Sequence, residues 1–165
     1  MRNLNWTTMA FAATFLACSA LADDSTGSFA SGVLGSTPGT TIGGVVSGAA
    51  PWSIHEGRAI VTPGGNLVVE VNALLIAAGP GIPPNLVGTT GPVQMVAASL
   101  VCGGSGGSVA ASTDGVPLTA SGNAQIQAKV MVPERCIAPV VLVRFFNAAA
   151  APGAQLGPFI ALTGL

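Results

Sequence analysis

The strongest constraint on this chain is a period of two in its apolar residues. Leu67, Val69, Val71, Ala73 and Leu75 share one parity, with Glu70 and Asn72 on the other. Between Ala124 and Val132 the pattern is cleaner: Ile126, Ala128, Val130 and Val132 alternate with Gln125, Gln127 and Lys129. Successive side chains of a β-strand point to opposite faces, so each set places one face in a core and the other in water. A helical period would scatter the same residues around the axis. Between such runs stand Gly, Pro and Asn. Arg58 to Thr62, the turn Pro63-Gly64-Gly65 and Asn66 to Ile76 read as a hairpin. Gly79-Pro80-Gly81 and Pro83-Pro84 then break the chain. Further strands are expected at Val93–Cys102, Val109–Thr113, Ala124–Val132, Val140–Phe146 and Phe159–Thr163. About seven short strands without helical signal define an all-β fold, expected as an antiparallel, immunoglobulin-like β-sandwich, with a small β-barrel as the alternative.

The N-terminus reads differently. Arg2 is followed by an apolar, uncharged stretch from Trp6 to Leu21, then by Ala20-Leu21-Ala22 and the acids Asp23 and Asp24. Those are the three parts of a secretory signal peptide over residues 1–22, cut after Ala22. A membrane anchor fits less well, since a spanning helix needs about 20 predominantly apolar residues. Phe15-Leu16-Ala17-Cys18 loosely matches the motif at which bacterial lipoproteins are cut and lipidated, so anchoring through Cys18 is the alternative. Residues 23–50 are rich in Gly, Ser, Thr and Ala, with no sustained period. They read as a flexible lead with one short edge strand near Ile42–Val46. The folded domain is expected over 51–165, with Trp52 as a core anchor. The expected location is outside the cytoplasm, secreted or periplasmic.

Charge argues against two classes of partner, nucleic acid and anionic lipid surfaces. Processing leaves Arg58, Lys129, Arg135 and Arg144 against Asp23, Asp24, Glu56, Glu70, Asp114 and Glu134, a formal balance of −2. No basic cluster is present to displace phosphate counterions or to sit on anionic lipid. Only 7% of residues are charged. The surface must be covered by small and amide residues, which favours self-association or contact with envelope or polymeric material. The positive mean hydropathy reflects abundant Ala, Gly and Val. After residue 22 no long uninterrupted apolar run remains; the richest stretch, Ala138 to Ala151, is broken by Pro139, Arg144 and Asn147. The two cysteines left after processing, Cys102 and Cys136, read as a disulfide in an exported chain. Two Cys and one His are too few for a zinc site, so no metal is expected.

Gly103-Gly104-Ser105-Gly106-Gly107 contains the G-x-S-x-G of a nucleophile elbow. That elbow needs a strand-to-helix turn and a later His, whereas the single His55 lies upstream and no helix is expected. Ser53, His55 and Glu56 are close in sequence, but neighbours on an extended chain face opposite ways. Glu56, Glu70, Asp114 and Glu134 could form a glycosidase pair, yet the mature chain carries one Trp and no Tyr as a sugar platform. Arg144 sits inside the apolar run Val140–Phe146: outward it is ordinary, inward it needs a carboxylate or a bound anion. No catalytic, cofactor-binding or metal-binding residue is assigned on these grounds, and no cofactor is implied.

A further set of motifs is spread over the domain: Pro51-Trp52, Gly57-x-Ala59, Gly65-x-Leu67-x-Val69-x-Val71, Cys102, Pro117-Leu118, Gly122-x-Ala124-x-Ile126, Pro133-x-x-Cys136-x-Ala138-Pro139 and Phe159-x-Ala161-x-x-Gly164. In these the chain resembles a family of small exported bacterial proteins with no assigned function. The resemblance implies a secreted, β-rich domain with one disulfide and brings no activity with it. The functional expectation is a non-enzymatic binding, envelope or self-association module, the alternative a secreted hydrolase of esterase or glycosidase type.

Overall fold

A computed structural model describes residues 27–164. The expected signal peptide, its expected cut after Ala22 and the alternative anchor at Cys18 lie outside the described residues. The chain forms strands β1 (Phe29–Gly35), β2 (Thr41–Ile42), β3 (Val45–Val46), β4 (Trp52–Ser53), β5 (Glu56–Val61), β6 (Asn66–Asn72), β7 (Leu75–Ile76), β8 (Met95–Cys102), β9 (Ser108–Ser112), β10 (Val116–Pro117), β11 (Ala124–Lys129), β12 (Val140–Phe146) and β13 (Leu156–Thr163). The fold is all-β, and every ladder between these strands is antiparallel.

One hydrogen-bonded path runs β10–β8–β12–β13–β1–β5–β6–β11, with β9 lying beside β8 in line with β10. The two ends of this path, β10 and β11, are joined through residues 118–123, a turn closed by the Thr119 N–H donating to Asn123 O at 3.0 Å. A connection that short brings the two edges of the sheet together, so the sheet curls. Its concave side buries the residues that the alternation singled out: Val69 and Val71 of β6, Ile126 of β11, and Val96, Ala98 and Leu100 of β8. Trp52 closes this core, packed edge-on against Phe145 with ring centroids 6.1 Å apart. Cys102, ending β8, is bonded to Cys136 in the loop before β12, with Cα atoms 4.8 Å apart.

Two features depart from the sequence reading. First, residues 29–50 are built into the fold and are not a flexible lead. Strand β1 lies between β13 and β5, with Val33 opposite Thr163 and Ser31 opposite Ala59. Its apolar face is short, and Ala30, Ser31 and Gly32 erase any period, so pairing on both edges forms this strand where local pattern does not. The edge strand expected near Ile42–Val46 is present as the β2–β3 hairpin. Gly43 and Gly44, with φ of 57° and 77°, make the two-residue turn that matches strand twist. The hairpin lies on the convex side of the sheet, where Ile42 covers Val101, Val140, Leu142 and Phe159 in a second, smaller core.

Second, the phase of the β6 pattern changes at Ala73. That residue takes a left-handed φ of 50°, and its N–H donates to Asn123 Oδ1 at 2.9 Å. Leu74 and Ile76 are buried as a result, while Ala73 and Leu75 are only half-buried. Strand β8 has Val96, Ala98 and Leu100 on one side, in the main core, as its alternation implies, and its other face is buried too, with Ala97, Ser99 and Val101 on the convex side. Among the described residues no helix is long and apolar enough to cross a membrane.

Candidate functional site

The residues singled out for hydrolytic chemistry are held apart. Ser105 lies in a single 3-10 turn, Gly104–Gly106, and extended chain follows it rather than a helix. Its carbonyl accepts from the Gly43 N–H at 3.1 Å, while the Gly103 and Gly104 N–H groups donate to Ile137 O and Ala138 O at 2.7 and 3.0 Å. The glycine-rich loop therefore fastens the β2–β3 hairpin to the disulfide loop. His55 sits at the opposite end of the sheet. It precedes Glu56 at the start of β5, whereas Ser105 shares a cavity with Phe29, which stands opposite Val61 at the far end of β5. Ser105 and His55 are thus separated by the length of a strand, and no Ser–His pair forms.

Two of the four carboxylates are brought together: Glu56 of β5 and Glu70 of β6 line one cavity with Arg58 and Asn72. Glu70 is engaged by Arg58, whose Nε lies 2.8 Å from Oε2, and by the Gln125 Nε2, which donates to Oε1 at 3.1 Å. The hydrogen bond from Arg58 holds the Glu70 carboxyl below the ordinary carboxylate range, and the same bond raises Arg58. Asp114 follows β9 and Glu134 stands two residues before the disulfide cysteine, so neither joins the pair on β5 and β6.

Arg144 has a structural explanation that its sequence position alone did not supply. Strand β13 carries extra residues relative to β12: Val143 faces Ala161, Arg144 faces Phe159, and Phe146 faces Leu156. Such bulges leave backbone carbonyls without ladder partners. The Arg144 guanidinium supplies them, with Nε donating to Gly157 O at 2.8 Å and Nη2 to Leu156 O at 3.2 Å, while Nη1 reaches Ser99 Oγ at 3.4 Å. Pro158, which has no N–H to offer a ladder, falls inside the bulged stretch. Arg144 belongs to the convex face, half-buried, and burial pushes its guanidinium below the ordinary arginine value. No carboxylate pairs with it among the described residues.

A concavity lies at the tip of the β12–β13 hairpin, against the segment leading into β8. It has a volume of about 640 Å³. Pro92, Val93, Met95, Phe145 and Phe146 contribute to its lining, with the Phe145 ring turned edge-on to Trp52 and the Phe146 ring against Gly115. The side-chain amides of Gln94, Asn147 and Gln155 line it as well, and no lining residue among those described is ionisable. The hairpin tip is rigidly tied: the Asn147 N–H donates to Gln155 O at 2.9 Å, and Asn147 Oδ1 accepts from the Ala149 N–H at 3.0 Å. At Gly115 a Cβ would come within 2.1 Å of the Phe146 ring, so only glycine leaves that ring in place. The Gln94 and Gln155 side chains have no protein partner among the described residues, and their donors and acceptors are free for a ligand. The sequence reading missed these residues because amides at strand ends carry no spacing rule; only the meeting of two distant segments makes them a site. Compared with known proteins, the chain matches no family model, no curated protein and no solved structure, so the site stands on its own geometry.

Proposed function

We propose that this chain is an exported, non-enzymatic binding module that holds an uncharged, hydroxyl-rich polymer of the cell envelope in the groove between Pro92–Met95 and Phe145–Gln155. The observation that carries this reading is the lining: three primary amides and two phenylalanines, with no ionisable side chain among the described residues. A primary amide both donates and accepts, as a hydroxyl does, and a phenyl face suits the apolar face of a sugar ring. Export rests on the signal peptide over residues 1–22, and a disulfide suits an oxidising compartment. The likeness to small exported bacterial proteins is part of the same proposal.

The test is calorimetric titration of the exported chain with neutral envelope oligosaccharides. Gln94→Ala and Gln155→Ala should each weaken binding by about threefold to tenfold, the loss of one neutral hydrogen bond. Equal affinity in both variants refutes the groove as the site. Ester or glycan hydrolysis that disappears in Ser105→Ala, His55→Ala or Glu56→Ala would overturn the non-enzymatic reading.

A further inference from the structure

The two edges of the curled sheet are not finished alike. At the β9–β10 edge the register slips between Leu100 and Val101, leaving Ala110 as an extra residue, and β10 ends in Pro117. Bulges, prolines and edge lysines are devices that keep a sheet edge from pairing with another chain. Of these the β11 edge has only Lys129, at its end. Its register against β6 is unbroken from Ala124 opposite Val71 to Lys129 opposite Asn66.

The direction of its free backbone groups follows from one bond. The Val130 N–H donates to Gly65 O at 2.8 Å, toward β6. By the period of two, Ala128, Ile126 and Ala124 also face β6, whereas the N–H and C=O of Gln125, Gln127 and Lys129 point away from it. These three residues are exposed, and β6 is the only strand that pairs with β11 among the described residues. Just beyond them Met131 is 85% exposed, and Ile137 of the disulfide loop is 74% exposed.

We propose that this edge is occupied by β11 of a second copy of the chain, antiparallel, about a two-fold axis through Gln127. The occupant follows from self-complementarity. In that register Gln127 faces its own counterpart and Gln125 faces Lys129, so no like charges meet. All the facing groups are those that β6 leaves free. They exchange about six N–H···O bonds, the number available from three hydrogen-bonded pairs. Each Lys129 of the second copy stands opposite Gln125, whose amide is itself bonded to Glu70 at 3.1 Å, and this brings a cation to the acidic side of the β5–β6 face. An isologous contact of this kind closes as a dimer rather than growing into a fibre. The proposal is independent of the groove, which lies on the β12–β13 hairpin.

The experiment is sedimentation equilibrium of the exported chain, disulfide intact, from about 1 μM to about 1 mM, the span of moderate to weak protein pairs. A monomer–dimer equilibrium is expected. Gln127→Pro removes an outward N–H from each copy and leaves the β6 ladder whole, so dimerisation should weaken by at least about tenfold. Gln127→Lys and Gln127→Glu should each weaken it by about fivefold, because like charges then face each other across the axis. Mixing those two variants should restore the pairing, because opposite charges now meet. A monomer throughout the range overturns the proposal, as does a dimer that none of the three variants weakens. A Lys/Glu mixture no tighter than either variant alone overturns the register.

Discussion

Ile42→Ala decides between a flexible lead and a built-in lid. Ile42 is 2% exposed and covers Val101, Val140, Leu142 and Phe159 on the convex face. Truncating a buried Ile to Ala costs about 2–5 kcal/mol, the upper part arising where the surroundings cannot settle into the space left. The hairpin here is held at several points: the Gly43 N–H on Ser105 O at 3.1 Å, the Ser47 N–H on Thr40 O at 2.8 Å, and the Gly48 N–H on Phe159 O at 2.8 Å. It can close only part of the gap, so a cost of about 3 kcal/mol is expected. With a urea slope of about 2 kcal/mol/M for a domain of this size, the midpoint should fall by about 1.5 M. The assay is urea unfolding followed by fluorescence of Trp52, which lies in the main core and reports global loss of structure. Val46→Ala, in the same hairpin but 56% exposed, is the control and should shift stability by no more than about 0.5 kcal/mol. If Ile42→Ala moves the midpoint no further than Val46→Ala does, the lid contributes nothing and the reasoning fails.

Three other perturbations follow from particular contacts. The Cys102–Cys136 bond spans a sequence separation of 34. Replacing both cysteines with Ala should therefore cost about 3–4 kcal/mol by the chain-entropy relation, read as a lower unfolding midpoint without reductant; a loss under about 1 kcal/mol contradicts it. Arg144→Met strips the Leu156 and Gly157 carbonyls of their donor and should cost about 1–3 kcal/mol in thermal unfolding, with Arg144→Lys recovering only part because one ammonium lacks the fork. A variant as stable as the parent would show that water satisfies those carbonyls equally well. Ala73→Gly relieves a left-handed φ of 50° while keeping the N–H that donates to Asn123 Oδ1, and should raise stability by about 0.5–1 kcal/mol; a loss would mean that the freedom glycine gains in the unfolded chain outweighs the strain relieved.

Legibility in this chain tracked how local each signal was. Strands β6 and β11 were readable because one face meets the core and the other meets water, so Val69, Val71 and Ile126 alternate with Glu70, Gln125 and Gln127. Strand β12 was readable as an apolar run whose Val140, Val141, Leu142 and Val143 are all buried. Strand β1 was not, since its Ala, Ser and Gly residues carry no pattern and its stability comes from Thr163 and Ala59, far along the chain. The phase change at Ala73 was hidden for a related reason: an alanine gives no local warning of positive φ, and its acceptor, Asn123, is distant in sequence. Of the groove, Val93, Gln94, Met95, Phe145 and Phe146 fell within strands expected from the sequence, but nothing local marked them as parts of one site. Its amides draw meaning from the hairpin tip that faces Pro92–Met95.

By itself, then, the amino-acid sequence determined the all-β class, the antiparallel hairpins and the cysteine pair. Period-two burial, turn residues and an even thiol count act through neighbours or through simple stoichiometry. Only the tertiary structure decided that residues 29–50 complete the sheet and roof its outer core, that Arg144 serves a bulge, and that one edge is finished while β11 is left open. Each of those depends on which distant backbone lies alongside, and hydrogen-bond pairing between remote strands leaves no periodic trace in the chain that carries it.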